Sequence, residues 1–294
     1  MDGRSYWFAG YFNPFDRERM VRYAGQARAD RFKESFDGKL PFVDAKIVRV
    51  FDPDPAAAKQ FSETFSVPVA RLLDEFADGL DGVIVPFPSG GPARDYAAVA
   101  PLVERGIPLF LDRIILEQSE SLRKLCERAL QRNAPLQVTS FPRYFAELLL
   151  PDRGASLLSA IVSTPGDPVG YGADLINLLD ELMQCRAVSV TNIGDPEKDV
   201  LRIRYQDGRH ALLQLFHHAK FPQHVTAFGD GWSRSLQFDG TQNHFAAMRQ
   251  FEAFLRSLDT RQPPVPYDRV FANAALLHAA ERREFGSEIA LGQY

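Results

Sequence analysis

The stretch Asp81-Gly-Val-Ile-Val-Pro-Phe-Pro-Ser-Gly-Gly91, continued by residues 92–105 and by Gly106-Ile-Pro-Leu-Phe-Leu-Asp-Arg113, carries the clearest fold pattern in this chain. Two short apolar runs, residues 83–85 and 109–111, flank a segment with helical periodicity. Because each run is continuously apolar, both faces of each strand are expected to be buried, as in parallel sheets covered by helices. The stretch therefore predicts a β-α-β unit.

Residues that follow the two apolar runs are candidate binding residues, because ligands of such sheets bind at the carboxyl ends of the strands. They are Pro86, Pro88, Ser89, Asp112 and Arg113. Residues 89–91 also offer backbone N–H groups to an anion, although the two glycines could equally shape a loop. For Asp112 and Arg113 the alternative is a plain ion pair at the strand end.

Composition limits the function classes. The chain has 294 residues, 45% of them hydrophobic, which suits two domains better than one. Its net charge is −4, and it has no basic run, so nucleic acid is not an expected partner. No apolar run approaches the roughly 20 residues of a membrane span, and no basic-then-apolar leader is present. We expect a cytoplasmic protein that contacts no membrane.

Both cysteines, Cys126 and Cys185, lie in predicted helices among apolar neighbours. This setting favours buried free thiols over a disulfide or a metal pair. All six histidines lie at or after residue 210. His217 and His218 point to opposite faces of one predicted strand, so the sequence predicts no metal site.

The N-terminal half alternates strands and helices on both sides of the β-α-β unit. Strands are expected at residues 6–10, 46–51, 67–70 and 136–139 in addition to the two already named. Asn13 and Pro14 suit the start of a helix that runs toward residue 36, and Asp54 or Pro55 suits the start of another. Six parallel strands with intervening helices predict a Rossmann-type doubly wound parallel sheet over residues 1–142.

The C-terminal half has a different pattern. Strands follow one another at hairpin spacing, at residues 187–192, 200–205, 211–217, 225–228 and 233–238. Strands without intervening helices pair antiparallel, and Asp207-Gly208 suits a tight turn. Residues 143–294 are therefore predicted to form an α+β domain with an open, mainly antiparallel sheet. The sequence leaves open whether the C-terminal helix packs on the first domain.

Residues 209–218 place large apolar groups on both faces of their strand. One face is expected to pack on the helices of the domain. The other predicts contact with a second subunit, and hence a homodimer formed through the open sheet face.

This order of elements resembles the Gfo/Idh/MocA family, the relatives of glucose-fructose oxidoreductase and inositol dehydrogenase. The similar segments are residues 50–54, 83–89, 107–113, 141–144, 173–182 and 251–255 with the closing helix. The resemblance implies an NAD(P)-dependent oxidoreductase that acts on a small sugar-like or carbonyl substrate in the cleft between its domains. It implies NAD or NADP as the cofactor and a small molecule as the partner.

The resemblance also implies a set of cofactor-binding residues: Gly10, Tyr11, Phe12, Asp52, Pro86, Pro88, Ser89 and Asp112. Asp52 stands where the family has its ribose-binding acid, with a helix-starting turn as the alternative. Gly10, Tyr11 and Phe12 stand where the family has its glycine fingerprint. Two aromatic rings at that point are expected to occupy volume that a pyrophosphate needs.

The expected catalytic residues are Arg113, Asn177 and Asp180, and all three depart from the family pattern. Arg113 replaces a lysine, and an arginine can orient an oxyanion but cannot exchange a proton. Ala173 and Asn177 stand at the positions of the family's Asp and His, and Asp180 follows. The expected substrate residues are Arg143, Tyr144 and Asp174.

Three hypotheses follow from these departures. The first is a divergent NAD(P)-dependent oxidoreductase with atypical catalytic residues. The second is a non-redox enzyme on the same scaffold, and the third is a catalytically silent relative that acts as a binding or partner subunit. The position of Tyr11 and Phe12 in the fold is expected to discriminate between them.

Overall fold

The computed structural model describes residues 3–27, 29–30, 42, 44–86, 96–112, 119–152, 155–238, 240–282 and 284–292. The fold divides into two compact units, Met1–Arg94 and Asp95–Tyr294. The domain boundary expected after residue 142 stays a prediction.

The first unit begins with a helix where the sequence predicted a strand. Helix α1 spans Gly3–Ala9, so the strand expected at residues 6–10 is wrong. Aromatic residues favour strands, but tertiary packing overrides that preference here. The Tyr6 ring packs against Phe61 and Phe65 of a later helix, with centroids 5.4 and 5.9 Å apart.

Helix α2 spans Arg17–Ala24 and starts later than the sequence predicted. Its N-cap is Asp16, whose side chain accepts a hydrogen bond from the Arg19 N–H. Asn13 does not cap a helix. Its side-chain amide instead exchanges two hydrogen bonds with the backbone of Ile47, at 2.8 and 2.9 Å. The polar residue that resembled a cap therefore joins two distant segments of the first unit.

The next helices of the first unit are α3, Pro55–Phe65, and α4, Leu73–Ala77. The start of α3 confirms the prediction, because Asp54 caps it and Pro55 is its first residue. The strands expected at residues 46–51 and 67–70 reduce to one parallel bridge between Val50 and Val69. Among the described residues, neither segment forms a longer strand ladder.

A parallel sheet contains β1, Val83–Pro86, β2, Leu109–Asp112, and β3, Leu136–Thr139, in that order. Strands β2 and β3 pair in parallel from Leu109 opposite Leu136 to Asp112 opposite Thr139. Every residue of β2 and β3 is buried, and for β2 its continuous apolar run predicted this. In β1, for which the same burial was expected, Val83 is buried and the three residues after it are half-buried. The Rossmann-type sheet is confirmed, although the described residues show three of its six expected strands.

A short helix precedes β2, and a long helix lies between β2 and β3 in the chain. Helix α5 spans Ala100–Glu104, and α6 spans Ser119–Arg132. After β3 a 3-10 turn, Phe141–Phe145, leads into α7, Ala146–Leu149. Cys126 of α6 is buried, and both cysteines are free thiols.

The second sheet has seven strands in the order β10-β5-β6-β7-β4-β8-β9. Their ranges are β4, Leu157–Pro165, β5, Ala187–Asn192, β6, Lys198–Tyr205, β7, His210–Phe216, β8, His224–Gly229, β9, Trp232–Gln237, and β10, Glu288–Ala290. Strands β4 and β7 pair in parallel, and the other neighbours pair antiparallel. The open, mainly antiparallel sheet is confirmed.

Three further helices complete the second unit: α8, Ala173–Met183, α9, Gly240–Thr260, and α10, Tyr267–Glu281. Helix α8 packs on β4 and β7, and α10 packs on α8 and β5. Side chains of β7 that face them, such as Leu213 and Leu215, are completely buried. Cys185 lies just beyond the end of α8 and is half-buried, so it is not the helical core residue that the sequence predicted.

None of the helices in the described ranges is long and apolar enough to cross a membrane. Within the same ranges, no three Asp, Glu, His or Cys side chains are grouped so that they could hold a metal ion.

Candidate functional site

Two polar residues end the adjacent strands β2 and β3. Asp112 and Thr139 lie opposite each other in the strand register, and both are completely buried. A carboxyl group and a hydroxyl group thus lie side by side at the carboxyl edge of a parallel sheet. This is the edge at which such sheets bind ligands, and Asp112 lies where the sequence predicted a binding residue.

Helix α8 meets this edge through two hydrogen bonds, and a third, within the helix, holds the Asn177 amide. The Thr139 hydroxyl donates to Asn177 Oδ1 at 3.3 Å, and the Ser140 hydroxyl donates to the Asp174 carbonyl oxygen at 3.3 Å. Asn177 Nδ2 donates to the Ala173 carbonyl oxygen at 2.9 Å. Asp174 and Asn177 are both buried. The structure therefore brings two residues predicted for the site to the end of β3, and both polar atoms of Asn177 are engaged there.

Two glutamines that the sequence analysis did not select fix the end of β3 from its other side. Gln137 Nε2 donates to the Gln250 carbonyl oxygen at 3.1 Å, and Gln250 Nε2 donates to the Thr139 carbonyl oxygen at 2.8 Å. Both glutamines are completely buried. Gln137 lies between the apolar residues Leu136 and Val138. This pattern could have identified it in the sequence, because a buried amide needs hydrogen-bond partners. Gln250 of α9 had no comparable sign.

A group of four charged residues, here called the ionic cluster, follows the edge: Arg143, Asp180, Glu181 and Arg269. Arg143 binds the Asp180 carboxylate at 2.6 Å and also pairs with Glu181. Arg269 binds Asp180 at 2.9 Å and Glu181 at 3.4 Å. The Arg143 side chain is only 5% exposed and that of Asp180 12%. Charges this deeply buried require such pairing.

The ionic cluster joins three elements. Arg143 belongs to the turn after β3, Asp180 and Glu181 to α8, and Arg269 to α10. Arg269 Nε also donates to Asp180 Oδ1 at 3.1 Å, so both carboxylate oxygens of Asp180 hold guanidinium groups. Asp180 and Arg143 therefore contribute ion pairs that hold these elements together. Their predicted catalytic and substrate roles remain predictions.

Tyr144 lies beside this cluster and is partly exposed. Burial of the ring raises the pKa of its hydroxyl above the ordinary value, and the nearby Arg143 charge only partly opposes that effect. The hydroxyl is therefore protonated throughout the physiological pH range. It can donate a hydrogen bond to a ligand oxygen but supplies no base.

Gly10, Tyr11 and Phe12 lie in the first unit, in a turn that follows α1. Tyr11 is completely buried and packs edge-on against Trp7, with ring centroids 5.8 Å apart. Phe12 stacks on Phe42 at 5.1 Å. These rings follow a helix, so the strand-to-helix loop that the cofactor prediction required is absent from residues 3–27. Whether the rings occupy a pyrophosphate space stays a prediction.

Asp52 comes two residues after the Val50 bridge and is half-exposed. Its carboxylate accepts a hydrogen bond from the Asp54 N–H at 2.8 Å, which forms the turn before α3. The helix-starting turn is therefore present, and the ribose contact of Asp52 stays a prediction. Pro86 ends β1. Arg113, Pro88 and Ser89 lie outside the described residues.

A dinucleotide would need a ribose contact and a pyrophosphate contact. Asp52 is the residue predicted for the first, and that role stays a prediction. The start of α2 does not suit the second, because Asp16 already caps it and Glu18 adds negative charge to its first turn. The start of α2, within the described part of the first unit, thus shows no pyrophosphate cradle.

Residues 21–140 match a protein-family model, GFO_IDH_MocA, described as an oxidoreductase family with an NAD-binding Rossmann fold. The Gfo/Idh/MocA resemblance is confirmed. The matched range includes Asp52, β2 and β3 and begins after Gly10, Tyr11 and Phe12. The Gfo/Idh/MocA similarity in sequence therefore rests on the part of the chain that carries the ribose position and the candidate edge.

Solved structures of Gfo/Idh/MocA type extend the likeness in fold to the second unit. A putative myo-inositol dehydrogenase from Sinorhizobium meliloti aligns over 94% of this chain and 98% of its own, with 17% identity and a TM-score of 0.65. A scyllo-inositol dehydrogenase from Lactobacillus casei, with bound NAD(H) and scyllo-inositol, aligns over 84% and 92%, with 13% identity and a TM-score of 0.63.

GenD2 from gentamicin A biosynthesis, in complex with NAD, aligns over 94% of this chain and 92% of its own, with 14% identity and a TM-score of 0.63. At these identities the likeness is one of fold. No curated protein matches the chain significantly.

Proposed function

We propose that this protein is a divergent NAD(P)-dependent oxidoreductase that acts on a small sugar-like or carbonyl substrate. The observation that carries the proposal is the polar edge made by Asp112, Thr139 and Ser140 at the carboxyl ends of two parallel strands, where the Ser140 hydroxyl holds the Asp174 backbone carbonyl. The NAD-binding family of residues 21–140 and the NAD(H) and scyllo-inositol bound by the Lactobacillus casei structure support it.

A bound nicotinamide cofactor would supply the hydride acceptor or donor. The protein must then take or give the hydroxyl proton of the substrate, which requires a group that titrates. Asn177 cannot do this, because an amide holds its protons at neutral pH. Asp174 lies on α8 three residues before Asn177, in the first turn, next to Ser140. We assign the proton transfer to Asp174.

The other residues of the edge then have positioning roles. Asn177 joins α8 to the end of β3 through Thr139, and the ionic cluster holds the same helix to the turn after β3. Arg113, whose charge is permanent, is assigned the orientation of a substrate oxyanion. Tyr144 is assigned a hydrogen bond to a substrate oxygen. Each of these roles depends on a substrate that lies against the edge.

A second function, the catalytically silent relative, is favoured by one specific observation. The polar atoms of Asn177 and the carboxylate oxygens of Asp180 all bind groups of the protein itself. Two of the three expected catalytic residues are thus used by the fold. A protein of this kind would bind a sugar-like molecule or a partner subunit without converting it.

We also propose a cytoplasmic homodimer formed through the sheet face opposite α8 and α10. Leu158 and Phe228 expose 53% and 37% of their surface there, and Leu212, opposite Ile161, is half-buried on the same face. A face with this much apolar area favours a second copy over solvent. Sedimentation equilibrium of the wild type and of Leu212→Glu tests the proposal. A wild-type monomer would contradict it.

Binding and turnover discriminate between the two functions. NADH or NADPH at about 100 times its Kd is expected to raise the free energy of unfolding by about 2.7 kcal/mol. Oxidation of myo-inositol, scyllo-inositol and common monosaccharides is then followed through the absorbance of the reduced nicotinamide. Nucleotide binding with turnover supports the oxidoreductase. Failure of both nucleotides to bind contradicts it and leaves the silent relative.

The role of Asp174 has its own test. Asp174→Asn is expected to lower kcat by about 100-fold or more, with little change in nucleotide affinity. Asp230→Asn, an exposed acid in the turn between β8 and β9, is the matched control and should leave kcat unchanged. Equal activity of Asp174→Asn and wild type would remove Asp174 from the reaction.

A further inference from the structure

A cavity of about 250 Å³ lies in the second unit, at the C-terminal end of α8, where this helix meets α10 and the paired strands β5 and β6. Its apolar wall includes Ile176 and Leu276. Asp180 and Arg269 of the ionic cluster also line it. The proposed function uses the other end of α8, where Asp174 and Asn177 lie, and assigns nothing to this cavity.

One buried polar group at the cavity is unsatisfied. Asn273 of α10 lines the cavity and is 5% exposed. Its Nδ2 atom has no hydrogen-bond partner among the residues that the structure describes. Leaving a buried amide donor unpaired costs free energy, so such a group in a cavity wall indicates an acceptor that comes from a ligand.

Two other residues that line the cavity, Arg186 and Asp268, carry opposite charges and do not pair with the ionic cluster. Arg186 donates one hydrogen bond, to the Gly292 carbonyl oxygen at 2.6 Å, and forms no ion pair within the described ranges. Asp268, in the first turn of α10, forms no ion pair there either. Asp180, by contrast, is already paired with both Arg143 and Arg269. The cavity thus presents one available cation, one available anion and one amide donor.

We propose that this cavity binds a small zwitterion of the amino-acid class. The carboxylate of the ligand would accept hydrogen bonds from Arg186 and Asn273, and its ammonium group would donate to Asp268. A short aliphatic side chain would lie against Ile176 and Leu276. A simple anion would leave Asp268 unpaired and a simple cation would leave Arg186 unpaired, whereas a zwitterion pairs both. A neutral polyol would form an ion pair with neither Arg186 nor Asp268.

Isothermal titration of the full chain with each standard amino acid, one at a time and without nucleotide, tests the proposal. At least one should bind saturably, and acetate and ethylamine, which carry one charge each, should bind at least tenfold more weakly. Arg186→Gln and Asp268→Asn should each weaken binding at least tenfold, or about 1.4 kcal/mol. Asp259→Asn, an exposed acid on α9, is the matched control and should leave binding unchanged.

Cysteine alkylation gives a second readout. Cys185 lines the cavity and is half-buried, whereas Cys126 is buried elsewhere in α6. A bound amino acid should slow the reaction of Cys185 with iodoacetamide. The proposal is overturned if no amino acid binds, or if binding is unchanged in both Arg186→Gln and Asp268→Asn. It is also overturned if myo-inositol protects Cys185 and amino acids do not. These outcomes are independent of whether the protein binds NAD(P).

Discussion

The hydroxyl of Thr139 donates to the Oδ1 atom of Asn177 across 3.3 Å, which joins the last residue of β3 to the second turn of α8. The same amide holds the Ala173 carbonyl oxygen through its Nδ2 atom. A strand end and a helix from a separate part of the chain are thus held by one buried side chain. This joint decides how the polar edge of the sheet is oriented toward Asp174.

Asn177→Ala is expected to lower the free energy of unfolding by about 1–3 kcal/mol, because it leaves the Thr139 hydroxyl and a buried carbonyl without their partner. Urea denaturation followed by circular dichroism measures the change. Gln131→Ala, which removes an exposed amide on α6, should cost less than about 0.5 kcal/mol. Equal losses in the two variants would show that the Thr139 contact adds nothing.

The ionic cluster gives a larger expected effect. Arg143→Met leaves Asp180 and Glu181 with Arg269 alone and should cost about 3–5 kcal/mol, since a buried charge loses a partner. Arg249→Met removes an exposed arginine that pairs with Glu147 and Glu252, and should cost about 0–1 kcal/mol. Guanidinium denaturation compares the two. A small loss for Arg143→Met would contradict the structural role of the cluster.

Tyr11→Ala separates packing from cofactor exclusion. The Tyr11 ring is completely buried, so its removal should cost about 3–5 kcal/mol of stability. NADH affinity, measured by titration below the melting temperature, should not improve, because the ring follows a helix and occupies no strand-to-helix loop. Tighter NADH binding in a folded Tyr11→Ala protein would restore the interpretation that this ring blocks the pyrophosphate.

Asp207 makes stability depend on acid. The hydrogen bond from Arg209 lowers its pKa from 3.8 to about 2, so the folded state binds a proton less readily than the unfolded state. The contribution is present above pH 4 and is lost as the pH falls through 2, and solvent exposure keeps it small. Asp207→Asn should flatten the stability profile between about pH 4 and 2. An unchanged acid limb would contradict the assignment.

The two thiols should react at very different rates. Burial raises the pKa of Cys126 to about 12, so almost none of it is thiolate at neutral pH. Cys185 is partly accessible and should carry nearly all native-state labelling. Mass spectrometry after brief iodoacetamide treatment, with Cys185→Ser as the control, measures this difference. Labelling of the Cys185→Ser protein before unfolding would contradict it.

Local sequence patterns predicted those strands and helix ends that depend on neighbouring residues of the chain. The continuous apolar runs identified β1 and β2, their position in the sheet identified Asp112, and Asp54-Pro55 identified the start of α3. Helix α1 escaped prediction because aromatic residues favour strands and the helix depends on rings of α3 far along the chain.

The candidate site was only partly readable from sequence for a related reason. Asn177 and Asp174 could be placed because their helix is periodic. Their partners could not, because Thr139 and Ser140 come from a segment that meets α8 only in the folded protein. Periodicity reports which face of an element is buried and gives no information on which distant side chain it meets.

Strand β4 lies between β7 and β8, and both neighbours come more than forty residues later in the chain. During synthesis on the ribosome, β4 therefore leaves the exit tunnel with both of its hydrogen-bonding edges open, and they stay open until β7 and β8 have emerged. We expect a chaperone to bind its apolar side chains in that interval. From the parallel β4-β7 pair we therefore expect the yield of folded protein to depend on the speed of translation through this half of the chain.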